Sequence, residues 1–134
     1  MPYKVQMADT RKALLGPTVN VEYVAASVDK RFYVAPRTMR VMKVILCVTV
    51  AGTNGSDVTV MVEKVASGTA IGSGVDVLSA TLNLKGTADT NQTGALSTVA
   101  GAVILQTGDS LALDFTGTLT SATGVITVTL TPVD

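Results

Sequence analysis

The sequence predicts an all-β domain, an antiparallel β-sandwich or jelly roll of about eight strands, with an extended arm at its N-terminus. Three observations carry this reading. From Val19 onward apolar residues recur with period two, the spacing of a half-buried strand. Clusters of Gly, Asn, Asp, Ser and Thr interrupt the pattern at short intervals, as turns do. No stretch between them holds a sustained helical period, and runs of short strands without helices form sandwiches or barrels. The 134 residues fit one domain with one two-layer core. The chain therefore divides into an arm over 1–18 and a β-domain over 19–134.

The arm mixes polar and apolar residues without a clear period and closes on Gly16-Pro17. Asp9 or Thr10 could cap a short helix around 9–15, which would be marginal without packing. Val19, Val21 and Tyr23 then alternate with Asn20 and Glu22. Phe32 to Ala35 forms a second strand, ended by Pro36. Thr38 to Val50 is the longest candidate. Its charges Arg40 and Lys43 have opposite parity, so a bulge near Val41 is expected to return both to solvent.

Asn54-Gly55 is a strong turn pair and reads as a hairpin into Asp57 to Ala66, with Val58, Val60 and Val62 inward and Asp57, Thr59, Met61 and Glu63 outward. The glycine-rich stretch 67–74 is a loop. Val77 to Lys85 reads as a strand with Leu78, Ala80, Leu82 and Leu84 on one side, although Asp76 to Leu82 could form a helical turn, and 86–94 reads as an exposed loop. Leu96 to Val99 and Ala102 to Leu105 read as short strands. Leu111, Leu113 and Phe115 point in, with Ser110, Ala112 and Asp114 out. Ile126, Val128 and Leu130 point in, with Thr127, Thr129 and Thr131 out.

Composition then narrows the chemistry. Hydrophobic residues make up 47% and charged residues 15%, so Thr, Ser, Gly and Asn must cover much of the surface. With no His, the commonest general base and metal ligand is missing, and Ser-His-Asp or Cys-His sites are excluded. Cys47, the single cysteine, forms no internal disulfide and reads as a buried structural thiol. Asp109 and Asp114 are the nearest approach to a carboxylate pair. A turn and an outward strand position make them solvated surface groups rather than a glycosidase pair. The loop Gly68-Thr-Ala-Ile-Gly-Ser-Gly74 lacks the Lys-Ser/Thr that completes a phosphate loop. No catalytic, cofactor-binding or metal-binding residue is expected, and no cofactor. The longest apolar run, Val44 to Val48, is far short of the ~18 residues of a membrane span. The first 16 residues contain no apolar core of a secretory signal.

Charge is unevenly placed. Residues 1–43 hold eight Lys/Arg against three Asp/Glu, a net +5, and the rest hold two against seven, a net −5. Such a split points to an acidic partner surface, a neighbouring copy included. The positive charges are dispersed, stacking aromatics are few and the pI is about 6.2, which argues against nucleic acid.

Five stretches carry a resemblance: Ala35-Pro-Arg-Thr-Met-Arg-Val41, Ser67-Gly-Thr-Ala-Ile-Gly-Ser-Gly74, Leu82-Asn-Leu-Lys-Gly-Thr-Ala-Asp-Thr90, Thr107-Gly-Asp-Ser-Leu-Ala-Leu-Asp-Phe-Thr-Gly-Thr-Leu119 and Gly124-Val-Ile-Thr-Val-Thr-Leu130. Over about three-quarters of the chain they resemble small virion proteins of tailed bacteriophages, the capsid decoration or cement proteins. That resemblance implies a structural protein on the capsid exterior, made in the host cytoplasm, with a β-sandwich or jelly-roll core. It implies as partners the major capsid protein and further copies of the chain, as a trimer before a dimer, with no membrane and no direct nucleic acid. No family residues transfer by motif. Position and charge alone select Lys4, Arg11, Lys12, Arg37 and Arg40 for polar docking, and Tyr3, Leu14 and Leu15 as apolar anchors. The competing expectations are a receptor- or carbohydrate-binding domain of a head or tail fibre, and a carboxylate hydrolase using Asp109 and Asp114.

Overall fold

Period-two patterning gives ten strands in the computed structural model, which describes Gly16 to Val133. They are β1 (Thr18–Tyr23), β2 (Lys30–Val34), β3 (Met39–Val50), β4 (Thr59–Val65), β5 (Val75–Asp76), β6 (Leu82–Asn83), β7 (Asn91–Thr93), β8 (Ile104–Leu105), β9 (Ser110–Thr116) and β10 (Thr123–Pro132). Two five-stranded antiparallel sheets form. The first runs β1-β10-β3-β7, with β8 also on β3; the second runs β2-β9-β4-β5, with β6 also on β4. This is the β-sandwich the alternation predicts.

The inner faces meet in one core. The first sheet supplies Val21, Tyr23, Val41, Val44, Leu46, Val48, Ile126, Val128 and Leu130, and the second supplies Val60, Val62, Leu111 and Leu113. Burial of each such side chain is worth about 1.5–3 kcal/mol, so the inward set fixes the register of every long strand. The expected bulge lies where the register of β3 with β10 slips between Thr129 and Leu130, opposite Lys43 and Val41. Arg40 and Lys43 are both exposed as a result.

Tertiary context overrides several sequence expectations. Asn54-Gly55 does not close a hairpin, because β3 and β4 belong to different sheets and the turn carries the chain across the sandwich. Over 77–85 only Leu82–Asn83 is strand; Val77, Leu78, Leu82 and Leu84 are buried, but Ala80 is exposed. Leu96 makes one isolated bridge with Leu78 in place of a strand over 96–99. Of the 86–94 loop, Asn91–Thr93 pairs with β3 as β7. Met61, Glu63, Ser110 and Ala112 do point to the outer face of the second sheet, yet all four are buried; the 67–74 loop folds back over Glu63, and Arg31 holds that loop at Thr69. Cys47 is half-buried on the outer face of β3, since Leu46 and Val48 take the core positions.

Of the arm, Pro17 accepts a hydrogen bond from Leu130 N–H at 3.0 Å. β1 already begins at Thr18. The helix considered around 9–15 lies outside the described residues.

Candidate interaction surface

The outer face of the first sheet follows directly from strand parity. One cross-strand row reads Asn20, Thr127, Ile45, Thr93, and the next reads Glu22, Val125, Cys47, Asn91. Thr18, Thr129 and Lys43 form a third row, and Thr131, Arg40 and Ile104 a fourth. The centre of the face is therefore uncharged, with Glu22 at one edge and Lys43 and Arg40 toward one end. Thr127 Oγ1 donates to Asn20 Oδ1 at 2.7 Å, which ties the rows of β1 and β10 together. Threonine suits such positions because its branched side chain packs on the pleat while its hydroxyl stays wet.

Arg40 sits beside the point where the arm enters. It faces Thr131, the neighbour of the Leu130 that Pro17 bonds. Val133 N–H donates to Thr38 O at 3.0 Å, so both ends of the described chain and the Arg37–Arg40 segment share one pole. The structure thus brings Arg37 and Arg40 to the start of the arm. Tyr3, Lys4, Arg11, Lys12, Leu14 and Leu15 lie outside the described residues.

The outer face of the second sheet has a different character. Glu63, 2% exposed, projects from β4 beneath the 67–74 loop. Its Oε1 accepts the N–H of Gly72 at 2.8 Å and of Gly74 at 3.3 Å. Gly74 approaches so closely that a β-carbon there would lie 2.5 Å from the Lys64 carbonyl oxygen. Arg31, on β2, donates from its guanidinium to the Thr69 carbonyl. Asp114 lies next to Glu63. Burial first, then a hydrogen bond to and the charge of Glu63, then the charges of Asp29 and Asp76, push its carboxyl up to about 6. Asp114 is therefore not the freely solvated carboxylate expected from an outward position. Asp109, half-buried, accepts Gln106 N–H at 2.9 Å and so shapes its own turn. Beside the loop lies an open depression of ≈ 570 Å³ lined by Arg31, Val34, Ser67, Thr69 and Ser110 among others.

Sequence reasoning missed Arg31 and Glu63. The available signal was the lone carboxylate of β4 followed by a loop carrying Gly68, Gly72 and Gly74, which lets backbone come down onto the sheet. Among the described residues no group of three or more His, Cys, Asp or Glu side chains is placed to hold a metal ion. Among them, too, no helix is long and apolar enough to cross a membrane.

The chain matches no protein-family model and has no significant match among curated proteins. It is similar to a chain in the structure of the Gx strain of infectious bursal disease virus, with a TM-score of 0.38 and 15% sequence identity over 87% of this chain. The chain spans only 30% of the length of that one. We draw neither a family nor a role from that likeness.

Proposed function

We propose that this chain is a non-enzymatic structural protein of a virion, a cement or decoration protein that attaches to the outside of a phage capsid and stabilises the lattice of the major capsid protein. One observation carries the reading: the outer face of the first sheet is a broad surface with an uncharged Thr-, Val- and Ile-bearing centre, bordered by the basic pole of Arg37, Arg40 and Lys43. An uncharged centre loses little on desolvation, and a basic border steers the protein toward an acidic partner. Arg37, Arg40 and Lys43 are three of the eight Lys/Arg that give residues 1–43 their net +5. The sequence resemblance to phage decoration proteins points the same way.

Attachment of this kind works through repetition. Copies held as a homo-oligomer, a trimer in our reading, bind a symmetric lattice with many modest contacts that act together. Binding to the mature shell and not to its precursors stabilises the mature state by linkage. The test is to pellet undecorated mature capsids with purified protein at moderate salt. Co-sedimentation is expected, and folded protein left in the supernatant would refute the reading. Residues 1–17 are expected to contribute, so their deletion weakens co-sedimentation without unfolding the β-domain.

One observation favours a second reading, a receptor- or carbohydrate-binding domain of a fibre. The depression beside Arg31 is lined by Ser67, Thr69 and Ser110 among others, residue types whose hydroxyls bind sugars. Reproducible binding on a glycan array, lost on Arg31→Ala, would support it over the capsid reading.

A further inference from the structure

The loop over 67–74 is held to the sheet beneath it by few bonds, and most of them end on one buried carboxylate. Glu63 receives Gly72 and Gly74, and Arg31 holds Thr69. Within the loop, Ser73 N–H bonds to Ala70 O at 3.1 Å, and Thr69 N–H reaches back to Ala66 O at 3.1 Å. Gly68 and Gly72 take φ of +85° and +96°, the region that favours glycine. The loop itself carries no ionisable side chain.

The charges around Glu63 are unbalanced. Asp76 of β5 stands directly opposite it in the ladder, and Asp114 of β9 stands opposite the neighbouring Met61. A β-carbon on Gly72 would lie 4.0 Å from Asp114 Oδ2, so Asp114 sits beneath the loop as well. Asp29, before β2, accepts Phe115 N–H at 2.8 Å through Oδ1. The cations of the same elements are committed elsewhere. Lys64 Nζ donates to the carbonyls of Gly101 and Ile104, Lys30 Nζ donates to Glu22 O, and Arg31 is on Thr69. Asp109, at the start of β9, is turned to Gln106.

We propose that the 67–74 loop is a proton-locked flap: a proton on Asp114, donated to Glu63, keeps the carboxylate in place to hold Gly72 and Gly74, and its loss frees the flap from the outer face of the second sheet. Two adjacent carboxylates without a proton repel each other, and that repulsion drives Glu63 from its position under the loop. Release uncovers Glu63 itself and Ser110, which is buried beside the loop. The raised Asp114 carboxyl agrees with this arrangement. Its sign is fixed. The proton's contribution to closure is fully present below the ordinary aspartate value and is lost as pH rises through about 6. This device does not depend on the capsid reading.

Amide hydrogen exchange on the intact protein tests it. Protection of Gly72 and Gly74, corrected for intrinsic exchange, is expected to fall about tenfold between pH 4 and pH 7 and to level off above that. Leu113 and Val62, inside the sheet, serve as the reference and are expected to stay protected. In Asp114→Asn, whose amide donates to Glu63 at any pH, the two glycines are expected to keep their low-pH protection at pH 7. The proposal is overturned if wild-type protection is flat with pH, if Leu113 and Val62 lose protection in parallel, or if the Asn variant keeps the wild-type pH dependence. Carboxyl ¹³C titration of the wild-type protein covers the case in which the variant does not fold. An Asp114 midpoint below about 4.5 would equally overturn the lock.

Discussion

At Gly124 the packing leaves no room for a β-carbon, which would lie 2.5 Å from Tyr23 Oη and 2.6 Å from the Cys47 carbonyl oxygen. The ring of Tyr23 crosses the inner face at this point and meets Phe115 at a centroid distance of 6.1 Å. Gly124→Ala is therefore expected to destabilise the fold by about 2–4 kcal/mol in urea denaturation, and an unchanged midpoint would contradict this packing. The Tyr23 hydroxyl is buried and has no hydrogen-bond partner among the described residues. An unpaired buried hydroxyl costs free energy, so Tyr23→Phe is expected to be neutral or to stabilise by up to about 1 kcal/mol. Burial, then the neighbouring Cys47, push the Tyr23 phenol up to about 12. Its contribution to stability is thus intact below its ordinary value near 10 and is lost as pH rises through about 12. The Phe variant should lose less stability than wild type over that alkaline range.

Among the elements, β4 is held from two sides by its own polar residues. Glu63 receives the flap, while Lys64 Nζ donates to Gly101 O at 2.7 Å and Ile104 O at 3.0 Å. Lys64→Met removes both bonds while keeping the aliphatic stem. It is expected to cost about 1–2 kcal/mol and to raise hydrogen exchange at Ala102 and Ile104, whose amides close the same turn. Unchanged exchange at both amides would show that the strap is not needed. Strand parity made most of the core legible: Val21, Leu46, Val62, Leu113 and Ile126 are inward as read. The bulge beside Val41 was legible too, because two charges of opposite parity demanded it. Parity says which side a residue faces, but not whether something covers that side. That is why Met61 and Glu63 were correctly placed outward and wrongly left in solvent. Turn chemistry has the same limit. Asn54-Gly55 reverses the chain, but only the partner strands decide whether it returns in the same sheet. Cys47 reads as buried from its apolar run, although the alternation that sends Leu46 inward puts Ile45 and Cys47 on the outer face, where Cys47 is half-buried. At the candidate surface the threonine row of β10 was readable, whereas the Glu63–Asp114 pair needed the fold to bring β4 and β9 together.

Across the whole molecule, every long ladder joins segments distant in sequence. Thr18 pairs with Thr129, Lys30 with Leu113, and Val60 with Phe115. Topologies of this kind fold in milliseconds to seconds, because loop closure precedes the contacts that reward it. Stopped-flow refolding complete within about a millisecond would contradict the sheet order. The same topology separates the charges. It gathers Arg37, Arg40 and Lys43 at the pole where the arm enters, and Glu63, Asp76 and Asp114 on the opposite sheet. The molecule thus presents a face with an uncharged centre, Glu22 at one edge and Arg40 and Lys43 toward one end outside its first sheet, and an acidic, flap-covered face outside its second. We propose that the first of these faces meets a capsid. It is tested most directly by co-sedimentation of Thr127→Asp with undecorated capsids, beside wild type and at matched thermal stability. A carboxylate at the middle of the face is expected to reduce the bound fraction at least tenfold, and undiminished binding by a folded variant would contradict the account.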